Sequence, residues 1–163
     1  MVFRLSAHAD PAFLAEMLYE AVNWRDLDGD ERPPLDAVLA VPENARYVTD
    51  WGRTGDVALY ALDRRDEPVG AAWLRRFDAA TPGYGYVADD IPELSIAVYP
   101  EFRRNKVGTL LLGSIIARAE RDQERAISLS VSRDNPAKRL YARHGFEVVD
   151  DSGDSLTMLL ELE

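Results

Sequence analysis

The sequence predicts an α/β fold in which short strands alternate with amphipathic helices. Residues 93–98 alternate apolar with polar or small side chains, which is the period of two of a strand. Residues 107–115 instead repeat apolar side chains every four positions, which is typical of a helix. Two further runs, 57–62 and 68–77, flank a polar turn and predict a β-hairpin. Strands and helices thus follow one another along the chain.

Length and composition limit the classes of protein to which the chain can belong. Its 163 residues suit a single domain, placed at 1–163, with a substantial core. The net charge of −10 argues against a nucleic-acid partner and favours small cationic ones. No apolar run is long enough to cross a membrane, and the N-terminus lacks the layout of a signal peptide. We therefore expect a cytoplasmic protein with no membrane partner.

The first third of the chain is predicted from helix caps and breakers. A helix should begin at Asp10-Pro11, because Asp is a good N-cap and Pro fits the first turn, and should end near Trp24. Shorter segments surround it: a strand at 2–5, a polar loop at 25–34, and one or two short helices at 35–50 broken at Pro42.

The remaining elements follow from the same signals. A long loop at 78–92 leads to the central strand, which Pro100 ends because proline cannot donate to a β-ladder. The later elements are a strand at 126–131, a helix from Asn135-Pro136 to about Arg143 capped by Gly145, and strands at 146–149 and 156–162 around a turn at 152–154.

A basic loop joins the central strand to the helix after it. The run Arg103-Arg104-Asn105-Lys106-Val107-Gly108-Thr109 brings cationic side chains and a glycine to the helix start. Free backbone N–H groups and the helix dipole favour an anion there. The loop therefore indicates a phosphate site. Considered without other motifs, it is also compatible with a solvated connection whose basic residues are incidental.

Two motifs resemble the signatures of the GNAT-type N-acetyltransferases. The first is Val98-x-Pro100-x-x-Arg103-x-x-Lys106-Val107-Gly108, which is similar to the acyl-CoA-binding pattern Arg/Gln-x-x-Gly-x-Gly/Ala. It departs from that pattern because Lys106 stands at the first glycine. A side chain there restricts how closely the backbone approaches a pyrophosphate, so we expect altered rather than lost affinity.

The second motif runs from Asn135 to Phe146 and resembles the C-terminal signature Asn-x-x-x-x-Leu-Tyr-x-x-x-Gly-Phe. Together the motifs cover roughly residues 93–149. The resemblance implies a mixed, mostly antiparallel sheet of six or seven strands with helices on both faces. It also implies a splayed central strand pair, with the pantetheine arm of acetyl-CoA in the gap.

The resemblance further implies an enzyme that transfers the acetyl group of acetyl-CoA to a primary amine of a small molecule or peptide. The amine would attack directly in a ternary complex. Acetyl-CoA would be the cosubstrate, with no metal. The residues implied to bind it are Ala97, Val98, Arg103, Arg104, Asn105, Lys106, Val107, Gly108, Thr109 and Asn135. A backbone N–H near Val98 would stabilise the developing oxyanion.

Two residues are candidates for proton transfer. By resemblance Tyr141 is the general acid, since a phenol with an ordinary pKa of about 10 is protonated at neutral pH. The alternative interpretation is that Tyr141 is a core aromatic residue whose hydroxyl lies at the surface. Glu93 occupies the place where the family often carries a catalytic carboxylate, and a solvated residue at the strand start is equally open. Asn135 is expected to cap a helix as well as to bind cofactor.

The acceptor site is less well specified. Asp89, Asp90 and Tyr84 are candidate substrate contacts, against the alternative of a solvated acidic loop. The chain has no cysteine and only two histidines, so a cysteine acyl-enzyme and a His-rich metal site are excluded. A non-catalytic acyl-CoA-binding module and a transferase for a different acyl group remain alternatives, and a homodimer is left open.

Overall fold

The computed structural model describes residues 3–7, 10–25 and 32–163, and in them seven strands form one sheet with five helices packed around it. The strands are β1 (Arg4–Ser6), β2 (Val57–Leu62), β3 (Pro68–Arg75), β4 (Glu93–Val98), β5 (Ala126–Ser132), β6 (Glu147–Asp150) and β7 (Ser155–Glu161). The helices are α1 (Pro11–Val22), α2 (Leu35–Leu39), α3 (Pro42–Ala45), α4 (Val107–Arg121) and α5 (Ala137–Arg143). None of the described helices is long and apolar enough to cross a membrane.

The sheet has the strand order β1-β2-β3-β4-β5-β7-β6, and every neighbouring pair is antiparallel except β4 and β5. The parallel β4–β5 pair shares a single register position, Glu93 with Ser128. The strands therefore diverge after their first residues and leave a gap toward their carboxyl ends. This confirms the predicted α/β fold with a mixed, mostly antiparallel sheet and a splayed central pair.

Two apolar clusters fill the two faces of the sheet. Below α4, Leu111 and Ile115 are fully buried together with Leu129 of β5. On the other face, Leu14 of α1 packs in a cluster with Trp73 of β3. Burying one such side chain contributes about 1.5–3 kcal/mol. The spacing of Leu111 and Ile115 is the one that predicted α4, so the helical period was read correctly.

The structure contains the helix caps that the sequence predicted at Asp10 and Gly145. The Asp10 carboxylate accepts a hydrogen bond of 3.0 Å from the N–H of Ala12, which satisfies one free donor of the first turn of α1. The helix ends at Val22, two residues before the expected Trp24. Gly145 follows α5 with a φ of 99°, the left-handed conformation that suits glycine after a helix.

Several predicted boundaries were wrong. Strand β3 stops at Arg75 rather than at residue 77, because Arg75 pairs with Glu93, the first residue of β4, and no partner strand continues beyond it. Pro100 opens a short 3₁₀ turn, Pro100–Phe102, rather than only ending a strand. The other corrected spans are β1 at 4–6 rather than 2–5, β6 at 147–150 rather than 146–149, and β7 at 155–161 rather than 156–162. Most of the loop expected at 25–34, residues 26–31, lies outside the described residues.

Candidate active site

A cavity of about 300 Å³ lies where β4 and β5 separate. It is lined on the α1 side by Trp24 and in the middle by Tyr47, Tyr84 and Glu93. Asn135 and Tyr141 line it on the α5 side. The structure therefore brings together four residues that the sequence singled out, Tyr84, Glu93, Asn135 and Tyr141, although they span almost sixty positions of the chain.

The backbone of β4 directs unpaired donors into the gap. The N–H of Tyr99 donates to Val69 of β3, whereas the carbonyl of Pro92 accepts from Ser128 of β5. Because alternate residues of a strand face the same neighbour, the N–H of Val98 points toward the side where β5 has moved away. This is the donor that was expected to lie near the oxyanion.

Glu93 is buried at the start of β4, with 3% of its surface exposed. One carboxylate oxygen accepts a hydrogen bond from the Tyr47 hydroxyl, and the other accepts one of 2.9 Å from the N–H of Gly85. Burial disfavours the charged form and raises the pKa of Glu93 from its ordinary 4.5 to about 7, although both hydrogen bonds act in the opposite direction. A carboxylate that titrates near neutral pH is suited to accept a proton. The alternative that Glu93 is a solvated residue at the strand start is therefore wrong.

The loop before β4 fits closely over this carboxylate. A Cβ on Gly83 would lie 2.8 Å from the Tyr47 hydroxyl oxygen, and a Cβ on Gly85 would lie 2.5 Å from the carbonyl carbon of Leu129. Both distances are shorter than real side chains adopt. The two glycines therefore allow close packing of the loop against β4 and β5.

Tyr141 lies on α5 and is 8% exposed. Its ring packs edge-on against Phe146 at 5.9 Å, and burial raises the pKa of its hydroxyl above the ordinary value. The hydroxyl has no hydrogen-bond partner within the described ranges, although Tyr141 lines the cavity. A protonated phenol facing the cavity without a structural partner can donate to a group bound there.

The basic loop has an unusual backbone. Arg104 and Lys106 adopt φ values of 68° and 63°, in the left-handed region that glycine adopts without a steric penalty. Lys106 thus adopts, at the position where the family signature has glycine, a backbone conformation that glycine favours. The first turn of α4 has no side-chain cap, so the N–H groups of Val107, Gly108 and Thr109 have no acceptor in the described part of the chain. An added Cβ on Gly108 would meet only Leu140 Cδ2, at 3.8 Å.

Arg103 points toward α1. Its guanidinium donates to the carbonyl of Trp24 at 3.3 Å, and its Nε donates to the carbonyl of Val98 at 3.3 Å. It also lies 3.7 Å from the buried carboxylate of Glu20, which Arg32 contacts at 2.8 Å. Arg103 therefore links the basic loop to α1. Asn105 lies beside it with its side-chain amide directed at the carbonyl of Phe102, at 3.3 Å.

Asn135 combines a local role with a place in the cavity. Its side-chain oxygen accepts a 2.9 Å hydrogen bond from the N–H of Ala137, the first residue of α5. The capping role expected from the sequence is therefore present, one residue before the formal N-cap Pro136. Its amide nitrogen remains to donate toward the cavity.

Only one of the three candidate substrate contacts, Tyr84, lines the cavity. Tyr84 lies at the cavity, stacked on Tyr47 at 6.1 Å, and donates to Asn44 at 2.9 Å. Asp89 accepts from the Tyr86 hydroxyl, and Asp90 forms two hydrogen bonds to Arg125, at 2.5 and 2.8 Å, on the exposed surface. Neither aspartate lines the cavity. The described residues contain no group of three or more metal-ligating side chains.

Sequence reasoning missed Tyr47. It lies just after α3, outside the two family motifs, with its hydroxyl on Glu93. No local signal marks this contact, because the two residues are 46 positions apart. Asn44 of the cavity was likewise not assigned a role, since its proximity depends on the tertiary fold.

A family comparison agrees with this geometry. The model of the acetyltransferase (GNAT) family matches residues 18–146. The chain belongs to the GNAT acetyltransferase family. A mycothiol acetyltransferase from Brachybacterium faecium is 32% identical over 120 residues, which are 72% of this chain and 34% of the relative. This GNAT protein thus spans about a third of the length of that curated relative.

Solved structures show the same fold. A phosphinothricin acetyltransferase from Sinorhizobium meliloti in complex with AcCoA superimposes with a TM-score of 0.69 at 23% identity, covering 99% of this chain and 89% of that one. A PaiA N-acetyltransferase from Thermoplasma acidophilum in complex with coenzyme A gives a TM-score of 0.67 at 18% identity, covering 99% of both chains. The splayed sheet of this GNAT protein is therefore the family architecture.

Proposed function

We propose that this GNAT protein transfers the acetyl group of acetyl-CoA to a primary amine by direct attack in a ternary complex. One observation carries the proposal. A buried carboxylate with a pKa of about 7, Glu93, and an unpartnered phenol, Tyr141, line one cavity at the gap between β4 and β5. Base and acid thus lie beside the space where the two substrates would meet.

The loop at residues 103–109 fits the phosphates of acetyl-CoA. Three N–H groups at the start of α4, the positive charges of Arg104 and Lys106, and the open space over Gly108 favour an anion that approaches the backbone closely. Asn135 and the backbone of Val98, which faces the gap, would hold the pantetheine arm, with Ala97 as the preceding residue of β4. Acetyl-CoA supplies an acetyl carbon activated by a thiolate leaving group.

The residues around the cavity can complete the proton balance. The amine nitrogen bonds to the acetyl carbon while the carbon–sulfur bond breaks. Glu93 takes the proton that the amine loses, directly or through water, and Tyr141 gives a proton to the departing sulfur. The N–H of Val98 donates to the carbonyl oxygen as its negative charge grows. Positioning of the two substrates and proton transfer by these side chains are therefore sufficient for acetyl transfer, and no covalent enzyme intermediate is needed.

The relatives support acetyl-CoA as the acyl donor. The mycothiol acetyltransferase and the phosphinothricin acetyltransferase are both acetyltransferases by name, and the latter structure contains AcCoA. They do not agree on one acceptor, so the amine is proposed from the base Glu93 in the cavity. The acceptor would enter between Trp24 and Tyr84, on the face of the sheet that carries α1.

Release of free thiol from acetyl-CoA, measured over a broad panel of primary amines, tests the proposal. We expect amine-dependent thiol release that falls strongly in Glu93→Gln, with unchanged acetyl-CoA binding. Binding of acetyl-CoA without thiol release for any amine would instead show a non-catalytic acyl-CoA-binding module. Competition among acyl-CoA esters of different chain length would reveal a transferase for a different acyl group if a longer ester were preferred.

A further inference from the structure

We infer that Tyr47 is the positioning residue of the active site, and that its hydroxyl holds the Glu93 carboxylate at the cavity in the ionised form that accepts a proton. The inference rests on the proposed role of Glu93 as base. Tyr47 carries no chemistry of its own in this scheme. It acts through the orientation and protonation of Glu93.

The hydroxyl of Tyr47 lies at the centre of a small hydrogen-bond network. It donates to one oxygen of Glu93 and accepts a bond of 2.7 Å from the N–H of Tyr84. The second Glu93 oxygen accepts from the N–H of Gly85 at 2.9 Å. Each carboxylate oxygen therefore has one fixed donor, which leaves lone pairs free to accept a proton from the cavity.

Three contacts hold the backbone of Tyr47 against β3. The indole N–H of Trp73 donates to the Tyr47 carbonyl at 3.1 Å. The guanidinium of Arg75 donates to the carbonyls on either side, Arg46 at 3.0 Å and Thr49 at 2.5 Å. Main-chain carbonyls at three nearby positions are thus tied to two buried side chains of one strand.

The side chains around Tyr47 are equally constrained. Its ring packs edge-on against Phe77 at 5.0 Å. Arg75 is 1% exposed and makes two bonds to the Asp56 carboxylate, at 2.7 and 3.0 Å. A structure that fixes a phenol so fully exceeds what simple packing of an aromatic ring requires. It makes the hydroxyl position depend on the fold rather than on the bound substrate.

The electrostatic surroundings of Glu93 leave Tyr47 as its main polar partner. Arg75 is the cross-strand neighbour of Glu93, but its charge is matched by the Asp56 carboxylate. The other titratable side chains at the cavity are Tyr84 and Tyr141, whose pKa values are raised by burial, so both are neutral at physiological pH. Burial likewise raises the pKa of Tyr47, which keeps it a donor throughout the working range.

A donor that bonds the carboxylate favours its charged form. Removing the Tyr47 hydroxyl should therefore raise the pH at which Glu93 becomes ionised. A hydrogen bond to a charged group is stronger than one between neutral groups, so its loss should shift the pKa of Glu93 measurably. We expect the acid limb of the pH profile to move upward by about one unit in Tyr47→Phe.

The test measures kcat/KM against pH for the wild type, Tyr47→Phe and Glu93→Gln with the same amine, so that titration of the amine is common to all three. In Tyr47→Phe the acid limb should shift upward while acetyl-CoA affinity stays unchanged. Tyr60→Phe is the matched control, since it removes a buried hydroxyl bonded to the carbonyl of Asp10, away from the cavity. Its pH profile should equal that of the wild type.

Replacing Tyr47 by 3-fluorotyrosine covers the case in which Tyr47→Phe does not fold. The fluorinated phenol is a stronger donor, so its acid limb should shift downward. An acid limb that stays in place in the folded Tyr47 variants would overturn the inference, provided that Glu93→Gln abolishes that limb. If Glu93→Gln itself keeps the wild-type limb, the proposed base is wrong, which is a separate result.

Discussion

At the residue scale, the hydroxyl of Tyr141 can be removed without breaking a hydrogen bond in the described structure. Tyr141→Phe keeps the ring, its contact with Phe146 and the helix. We expect turnover to fall by about 10²-fold, the low end for a general acid, because a thiolate already leaves readily. Steady-state kinetics measure the loss. The thermal midpoint and acetyl-CoA affinity should remain near the wild-type values.

Two outcomes would contradict this role for Tyr141. A parallel fall in turnover and thermal stability would show that the hydroxyl has a structural partner. Unchanged turnover would show that water protonates the sulfur. Val148→Ala, an exposed change on the edge strand β6, serves as a control for general handling of the variants.

Glu93 has a second consequence at the residue scale, which concerns stability. Its pKa in the folded protein, about 7, lies above the ordinary 4.5, so its contribution to stability is fully present below pH 4.5 and is lost as the pH rises through 7. Above pH 7 the ionised, buried carboxylate therefore costs up to about 3 kcal/mol. Glu93→Gln should be inactive yet more stable than the wild type at pH 8.

Urea unfolding at pH 5 and pH 8 measures this difference. The free energy of unfolding of Glu93→Gln should exceed that of the wild type by more at pH 8 than at pH 5. An equal difference at both values would mean that Glu93 is ionised throughout, and would remove the physical basis for its function as a base near neutral pH.

The resemblance to the family motifs was sufficient to select Glu93, Tyr141 and Asn135, and the structure brings all three to one cavity. It could not identify Tyr47, because a tyrosine in a short helical segment looks like any core aromatic. The hydrogen bond from Tyr47 to Glu93 exists only because β3 binds the chain at residues 46–49. Contacts of this kind depend on the tertiary structure and leave no periodic signal.

At the element scale, the start of α4 can be tested with one glycine. Gly108→Glu should fold normally, because an added Cβ meets only Leu140 Cδ2 at 3.8 Å. It should weaken acetyl-CoA binding by at least about tenfold, since a carboxylate at the helix N-terminus competes with the phosphates. Isothermal titration calorimetry measures the affinity.

Gly113→Glu is the matched control for that experiment. Gly113 lies on the same helix, and an added Cβ there meets nothing within 4 Å. Its affinity for acetyl-CoA should equal that of the wild type. Equal affinities in both variants would remove the cofactor assignment of residues 103–109.

The elements themselves were predictable to different degrees. Helix α4 and the strands β2, β4 and β5 carry strong periodic patterns, and the structure confirms them. The left-handed backbone at Arg104 and Lys106 was not predictable, because neither residue type signals a positive φ. Edge strand β6 is exposed at every position, so it lacks the alternation that marks a strand with one buried face.

At the scale of the whole molecule, the net charge of −10 favours a cationic acceptor and disfavours nucleic acid. We expect the KM of a cationic amine to rise about twofold between 0.1 M and 1 M salt, because the screening length falls from about 10 Å to about 3 Å. An uncharged aromatic amine is the control and should show no such change. Tight, salt-sensitive binding to DNA or RNA would contradict this expectation.

The cytoplasmic location and the extent of the domain over residues 1–163 stay predictions, and a homodimer stays open. Sedimentation velocity at several protein concentrations measures the oligomeric state. Limited proteolysis tests the domain, since a single compact unit should lose only its termini.

The close packing of Gly83 and Gly85 bears on how this GNAT protein could be altered by laboratory evolution. Any side chain at either position would collide with the Glu93–Tyr47 pair or with the backbone of Leu129, so a library that randomises the whole loop would consist mostly of misfolded clones. Tyr84 between them is 56% exposed and faces the cavity with Trp24 and Asn44. A library confined to those three positions should yield altered acceptor preference at a far higher frequency.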